Sequence, residues 1–518
     1  KTKGRNMEIW FLITCTICIS ALLKPFFDLH NFFTKATKPK TKLPPGPICL
    51  PIVSTLWILH KLSSSQFQPW LRALHARFGP IITLHIGPQP HIFIFGRDLA
   101  HLALVNSGAL FADRPQPSPV SKILNENQHN ISSAGYGSTW RLLRRNLAEK
   151  VLHPSRVTAY SQARESAMQL LISRIKAKGD AVNLVEEFQH CMFHLLATMC
   201  LGNDLDEEKI KEIEDEERRF LLALNRFQVL DFWPWLTKML LPNRWAELLG
   251  RKRHQYEVFM PLIQARKEAM KKVTDKPYIN STYLDSLLEL ELQEDNANEK
   301  RKLTDAEIVA LCSEFLTAGT DTSSTSLQWI MANLVKHSEI QTKLFEEIQA
   351  VVGSLSKELK EEDLEQLPYL RAVILEGLRR HPPGHLLLPH GLTRDAELGG
   401  YLVPKNATVH FVVSEMGWDP QIWDHPMEFR PERFLGKEGE GFDMKGGGGE
   451  IKMIPFGAGR RICPGYSLGM LHLMYFVANL VWNFEFKPLN GAEINLSEKL
   501  EFTTVMKYPL VTQISPRG

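Results

Sequence analysis

The sequence predicts a mainly α-helical chain with small β-sheets, an α+β architecture in one large domain behind an N-terminal membrane anchor. Three observations lead there. Long amphipathic stretches occupy 160–200, 204–228, 245–272 and 305–350, two short β-branched runs flank Gly87-Pro88-Gln89-Pro90, and an uncharged run spans Ile9 to Leu23. With 518 residues, 44% of them hydrophobic and 23% charged, the composition is that of a folded globule.

In chain order, residues 1–6 precede Met7 and are set aside as upstream sequence. Residues 7–27 form the anchor, in which Phe26 and Phe27 extend an apolar run that is otherwise short of the roughly 20 residues needed to span a bilayer. The basic hinge at 28–50 carries Lys35, Lys38, Lys40 and Lys42, then Leu43-Pro44-Pro45-Gly46-Pro47, a stiff extended piece. Basic residues after the anchor keep the following domain, 51–518, in the cytoplasm. Asn130, Asn280, Asn406 and Asn495 begin N-x-Ser/Thr sequons, which a cytosolic domain leaves unmodified.

Within that domain, Ile81 to Ile86 and His91 to Phe95 read as a hairpin with a four-residue loop, and Tyr401 to Val413 as a second hairpin turning at Pro404-Lys405-Asn406. The 61 basic and 58 acidic residues nearly cancel, which argues against a nucleic-acid partner. Seven cysteines, at 15, 18, 49, 191, 200, 312 and 463, are odd in number and scattered, against a disulfide framework.

The strongest chemical signal is Phe456-Gly457-Ala458-Gly459-Arg460-Arg461-Ile462-Cys463-Pro464-Gly465. Cys463 offers a soft anionic ligand, and Pro464 suits the first turn of a helix whose dipole would hold the sulfur as thiolate. Gly459 permits a tight turn, Gly465 a close approach to a flat ligand, Arg461 a bond to an acidic group, and Phe456 a shield for the sulfur. A lone cysteine would more often be an inert buried thiol.

Three further motifs accompany it. Trp140 and Arg144 are four apart, on one helix face. Ala318-Gly319-Thr320-Asp321-Thr322 lies inside a helix that begins at the capping box Thr304-Asp305-Ala306-Glu307 and runs to about Lys336, and a glycine followed by polar residues predicts that the helix opens there. Glu376-Gly377-Leu378-Arg379 precedes Phe429-Arg430-Pro431-Glu432-Arg433-Phe434.

Together these motifs, in this order, resemble the cytochrome P-450 (haem-thiolate) superfamily, and AGTDTSS, His381-Pro382-Pro383 and the anchor resemble its microsomal plant A-type branch. Trp418-Asp419-Pro420 is similar to plant families 77 and 89. The resemblance implies a single large haem-thiolate fold binding haem b (iron protoporphyrin IX) with Cys463 on the iron. It places Trp140 and Arg144 on the propionates, Ala318 and Gly319 over the haem, and Thr322 with Asp321 in proton delivery. Glu376, Arg379 and Arg433 become a structural charge network.

The implied reaction inserts one atom of O2 into a small lipophilic substrate, with electrons from NADPH through a separate NADPH–cytochrome P-450 reductase. Arg141, Arg145 and Lys150 form a local basic patch for that partner. The substrate pocket is expected from 116–130, 226–235, 312–319 and 386–389, and the location is the endoplasmic reticulum membrane, single-pass, catalytic domain to the cytosol. Two rival readings stand beside it: a haem-thiolate isomerase or dehydratase working without reductase, and a non-enzymatic haem sensor.

Overall fold

The computed structural model describes residues 42–47, 57–58, 61 and 66–517, apart from 88, 180, 204, 232–233, 273–281, 294–299, 355–357, 437–441, 443 and 445–449. The anchor expected at 7–27 and most of the hinge lie outside the described residues. Among the described residues, no helix is long and apolar enough to cross a membrane. The described part of the hinge is docked on the domain: the Thr83 N–H donates to Pro45 O at 2.8 Å and the Thr83 hydroxyl to Pro44 O at 2.8 Å. A Cβ on Gly46 would stand 1.9 Å from the Thr83 carbonyl oxygen, so glycine is required by that approach.

The core is built around a central helix, Asp305–Lys336, about 48 Å long. Its expected capping box is present: Thr304 Oγ1 accepts from the Glu307 N–H (3.3 Å) and Glu307 Oε2 from the Thr304 N–H (2.7 Å). It packs against the helices Leu184–Leu201, Pro368–Arg380 and Tyr466–Asn483, and under Glu207–Phe227 and Pro242–Lys272. Close crossings rest on glycines: a Cβ on Gly319 would stand 2.6 Å from Leu196 Cδ1, and one on Gly377 would stand 2.4 Å from Ile330 Cγ1.

The opening expected at Gly319 does not occur. The helix is continuous, and the hydroxyls of Thr317, Thr322, Ser324 and Ser326 donate to carbonyls four residues earlier, at 2.7, 2.7, 2.8 and 2.8 Å. These polar side chains are satisfied within the helix, and Gly319 serves packing against Leu196 rather than a break in the ladder.

Small sheets flank the helices. Ile81–Ile86 pairs antiparallel with Gln89–Ile94, from Ile81↔Ile94 to Ile86↔Gln89, so the first hairpin pairs two residues closer to its turn than expected. The second expected hairpin is corrected: Tyr401–Val403 pairs with Ala396–Leu398, while Thr408–Phe411 leaves it to join Gln89–Ile94 in parallel. The turn glycines lie at Gly399 and Gly400, both at positive φ, and not at Pro404-Lys405-Asn406. A further sheet joins Ala181–Asn183, Val511–Pro516 and Phe484–Pro488.

Candidate functional site

The cysteine motif is a loop turned by Gly457 (φ 74°) and Gly459 (φ 67°). A Cβ on Gly459 would stand 1.8 Å from Leu104 O, so both dihedral and contact demand glycine there. The loop closes through the Cys463 N–H to Phe456 O at 2.8 Å, and Phe456 meets Tyr466 edge-on with centroids 5.0 Å apart. The following helix starts at Tyr466 with Gly465 as N-cap, so Pro464 lies just outside the turn expected to hold it. A Cβ on Gly465 would meet only Cys463 Sγ, at 3.9 Å, so no protein atom requires glycine at this position.

Burial pushes the Cys463 thiol up, while the Gly465 N–H and the Arg144 guanidinium pull it back. A coordinated cation would favour the thiolate further.

The helix Ser138–Lys150 carries Trp140 and Arg144 to this loop. Arg144 donates to Ile462 O at 2.6 Å, the carbonyl just before Cys463, and Arg461 lies 4.4 Å from the Trp140 ring centroid. Trp140 is buried, yet its Nε1–H has no acceptor among the described residues. A buried indole N–H without a partner points to an acceptor the polypeptide does not supply.

Arg461 itself donates to Ala112 O and Ala134 O, both at 2.6 Å, and to Ile131 O at 3.3 Å. It docks the cysteine loop onto a strap formed by residues 112–134. Arg114, which the sequence reading missed, works on the same strap, donating to Ser132 O (2.6 Å), Pro389 O (2.7 Å) and Leu388 O (3.1 Å). Burial and the nearby Arg461 push Arg114 down to about 9; burial and Arg144 push Arg461 down to about 10. Crowded guanidiniums, an unpartnered indole N–H and a soft sulfur form a donor set that fits a flat iron-bearing dianion such as haem.

Above the strap, the central helix is buried along most of its length but accessible between 314 and 322, with Ala318 exposed and Glu314, Phe315, Thr317, Gly319 and Thr322 half-buried. Thr322 lies one turn beyond Ala318, its hydroxyl on Ala318 O. Asp321 turns elsewhere: its oxygens accept from Arg218 (3.0 Å) and the Thr503 hydroxyl (2.7 Å), and burial pushes its carboxyl up against the pull of those partners. The two residues expected to act together thus have separate partners.

Glu376, Arg379 and Arg433 do come together, in the dry interior. Arg379 meets Glu376 through two bonds of 2.7 Å, and Arg433 reaches Glu376 Oε1 at 3.2 Å. The remaining donors of Arg379 go to Gly417 O, Pro426 O and Glu428 O, and the Arg430 N–H adds a fourth bond to Glu376. This network pins the 417–433 segment to the helix Pro368–Arg380.

Of the expected pocket segments, 116–130 and 226–231 pack together, with the Val120 N–H on Asp231 Oδ1 at 3.1 Å and Val120, Phe227 and Leu230 in one apolar cluster. Arg141, Arg145 and Lys150 are all exposed on the Trp140 helix.

The sequence profile of the family described as Cytochrome P450 matches residues 44–514. Cytochrome P450 89A9 of Arabidopsis thaliana is 47% identical over 98% of this chain and 99% of its own. Flavonoid 3'-monooxygenase, also of Arabidopsis thaliana, is 32% identical over 97% of each. A zebra fish cytochrome P450 solved with progesterone shares the fold, with a TM-score of 0.73 at 23% identity over 87% of this chain and 99% of that one. The chain belongs to the cytochrome P450 family, among the haem-binding monooxygenases of plants and with family 89.

Proposed function

We propose that this protein inserts one atom of O2 into a small lipophilic metabolite, with electrons from NADPH delivered by a separate reductase, and that Cys463 would hold the iron of its haem b. The observation that carries the reading is the Cys463 loop, flanked by the unpartnered Trp140 N–H and three arginines. Haem bound through a thiolate supplies O2 activation, because the sulfur pushes electron density that favours O–O cleavage. Trp140, Arg144 and Arg461 would hold the propionates, and Phe456 would keep water from the sulfur.

Thr322 carries its hydroxyl one turn beyond the exposed Ala318. Its bond to Ala318 O can be exchanged for one to an incoming ligand without moving the backbone. Asp321, kept easier to protonate by burial and linked through Thr503 to Thr325 at 2.9 Å, would be a proton reservoir on the Arg218 side of the helix, apart from Thr322. Leu387, packed beside Gly457 of the cysteine loop, and the 116–130 and 226–231 segments supply apolar walls. The exposed Arg141, Arg145 and Lys150 face outward for an acidic reductase domain. Relatives named as monooxygenases of flavonoids and of phenylacetaldehyde oxime support a planar or aromatic substrate from plant specialised metabolism. The anchor at 7–27 would hold the domain on the cytosolic face of the endoplasmic reticulum.

The test is the difference spectrum of the reduced protein with and without carbon monoxide. A thiolate-type band lost in Cys463→Ala, together with turnover that needs reductase and NADPH, supports the reading. Turnover without reductase would replace it with an isomerase or dehydratase, and a band that survives the substitution would remove Cys463 as ligand.

A further inference from the structure

At Ile131 and Ser132 the strap runs between opposite charges. Above it, Glu314 of the central helix accepts from the Ile131 N–H (2.8 Å, Oε2) and the Ser132 N–H (2.6 Å, Oε1). Below it, the carbonyls of the same two residues accept from guanidiniums: Ile131 O from Arg461 at 3.3 Å and Ser132 O from Arg114 at 2.6 Å. Ala134 O and Ala112 O add two further bonds to Arg461, both at 2.6 Å.

The Ile131–Ser132 peptide thus points its N–H at a carboxylate and its C=O at a guanidinium, an arrangement in which the two bonds polarise one another, and the Ser132 carbonyl of the next peptide adds Arg114. The geometry also joins two places that the sequence keeps apart. Glu314 stands one helical turn before Ala318, in the accessible part of the central helix, and Arg461 stands two residues before Cys463.

We infer that Glu314 is a positioning residue: by fixing the Ile131 and Ser132 amides it holds the carbonyls that receive Arg461 and Arg114, so that the central helix and the cysteine loop are fixed relative to each other. This rests on the function proposed above and goes beyond it, because it assigns a role to a residue outside all of the recognised motifs. Burial raises the Glu314 carboxyl, and the strap amides and Arg114 oppose that rise.

The test measures haem transfer from the loaded protein to excess apomyoglobin, with hydrogen–deuterium exchange over residues 128–136, in wild type, Glu314→Gln, Glu314→Asp, Arg461→Lys and the double variant Glu314→Gln/Arg461→Lys. Glu314→Gln is expected to lose haem about tenfold faster, the equivalent of one charge-assisted hydrogen bond. Exchange at Ile131 and Ser132 should speed up with it, and Glu314→Asp, which keeps the charge, should recover much of both.

The double variant should lose haem no faster than the faster single variant, because both substitutions break one linkage. Wild-type haem loss in Glu314→Gln, or single effects that multiply in the double variant, would overturn the inference. If Glu314→Gln does not fold, Glu314→Asp and its double with Arg461→Lys carry the same comparison. If wild type takes up no haem, the proposed function fails instead, and amide exchange still decides whether Glu314 holds the strap.

Discussion

The Glu376 network and the middle of the central helix lie in the same core but handle their polar groups in opposite ways. In the network the guanidinium donors meet fixed acceptors, Glu376 on the same helix and carbonyls of the 417–433 segment, and Glu376 and Arg379 are 0% and 1% exposed. In the central helix, Thr317, Thr322 and Ser326 donate to carbonyls of their own helix, while Asp321, and Glu217 of the neighbouring helix Glu207–Phe227, which accepts from Ser313, are carboxyls pushed up by burial. The first arrangement makes one rigid structure, because every substitution strands a charge. The second keeps hydroxyls and protons exchangeable while the backbone stays still, which suits a site where protons move.

The largest effect should come from breaking the rigid side. Glu376→Ala strands two buried guanidiniums and is expected to cost about 3–5 kcal/mol, enough to remove most folded protein; yield and thermal melting would show it. A variant of ordinary stability would mean that the network is not what pins the 417–433 segment.

On the exchangeable side, Thr322→Val should lower turnover about a hundredfold. Its thermal stability should stay within about 1 kcal/mol of wild type, since the lost bond is to its own helix. A large loss of stability with unchanged turnover would reverse the contrast.

Glu217 gives the pH test. Its oxygens accept from Gln255 (3.0 Å) and the Ser313 hydroxyl (2.6 Å), and burial pushes it up to about 7 from 4.5. A carboxyl raised in the folded state gives stability that is complete below the unfolded value and is lost as pH rises through about 7. Glu217→Gln should therefore flatten the stability profile between about pH 4.5 and 7, by up to about 3 kcal/mol in urea unfolding. A parallel shift at all pH values would show that the carboxyl does not titrate in that window.

The smallest effect is expected for Gly319→Ala. The added Cβ meets only the end of the Leu196 side chain, and alanine improves helix propensity by about 1 kcal/mol. Melting should move little, whereas a large loss would show that the crossing of the two helices cannot give way.

Much of the site was legible because its signals are local. Gly459 at positive φ, the Thr304–Glu307 capping box, and Glu376 with Arg379 three residues on all depend on a few neighbouring residues, and the structure shows these features where the sequence placed them. What was misread depended on distant partners. Gly319 looked like a helix breaker until Leu196 lay against it, and Thr408–Phe411 looked like half of a hairpin until it paired with a strand more than 300 residues earlier. Arg114 and Glu314 gave no periodic or motif signal, since their partners are backbone groups that any sequence possesses.

By itself, then, the sequence determined the helical core, its caps, the order of the motifs and the chemistry that Cys463 can supply, because period, cap and ligand type are properties of short segments. Only the tertiary structure decided which carbonyls receive Arg461, that Asp321 turns to Arg218 and Thr503, and that one strap joins Glu314 to the cysteine loop. A buried charged side chain bonds whatever the fold brings within about 3 Å, and that neighbourhood is set by packing rather than by sequence distance.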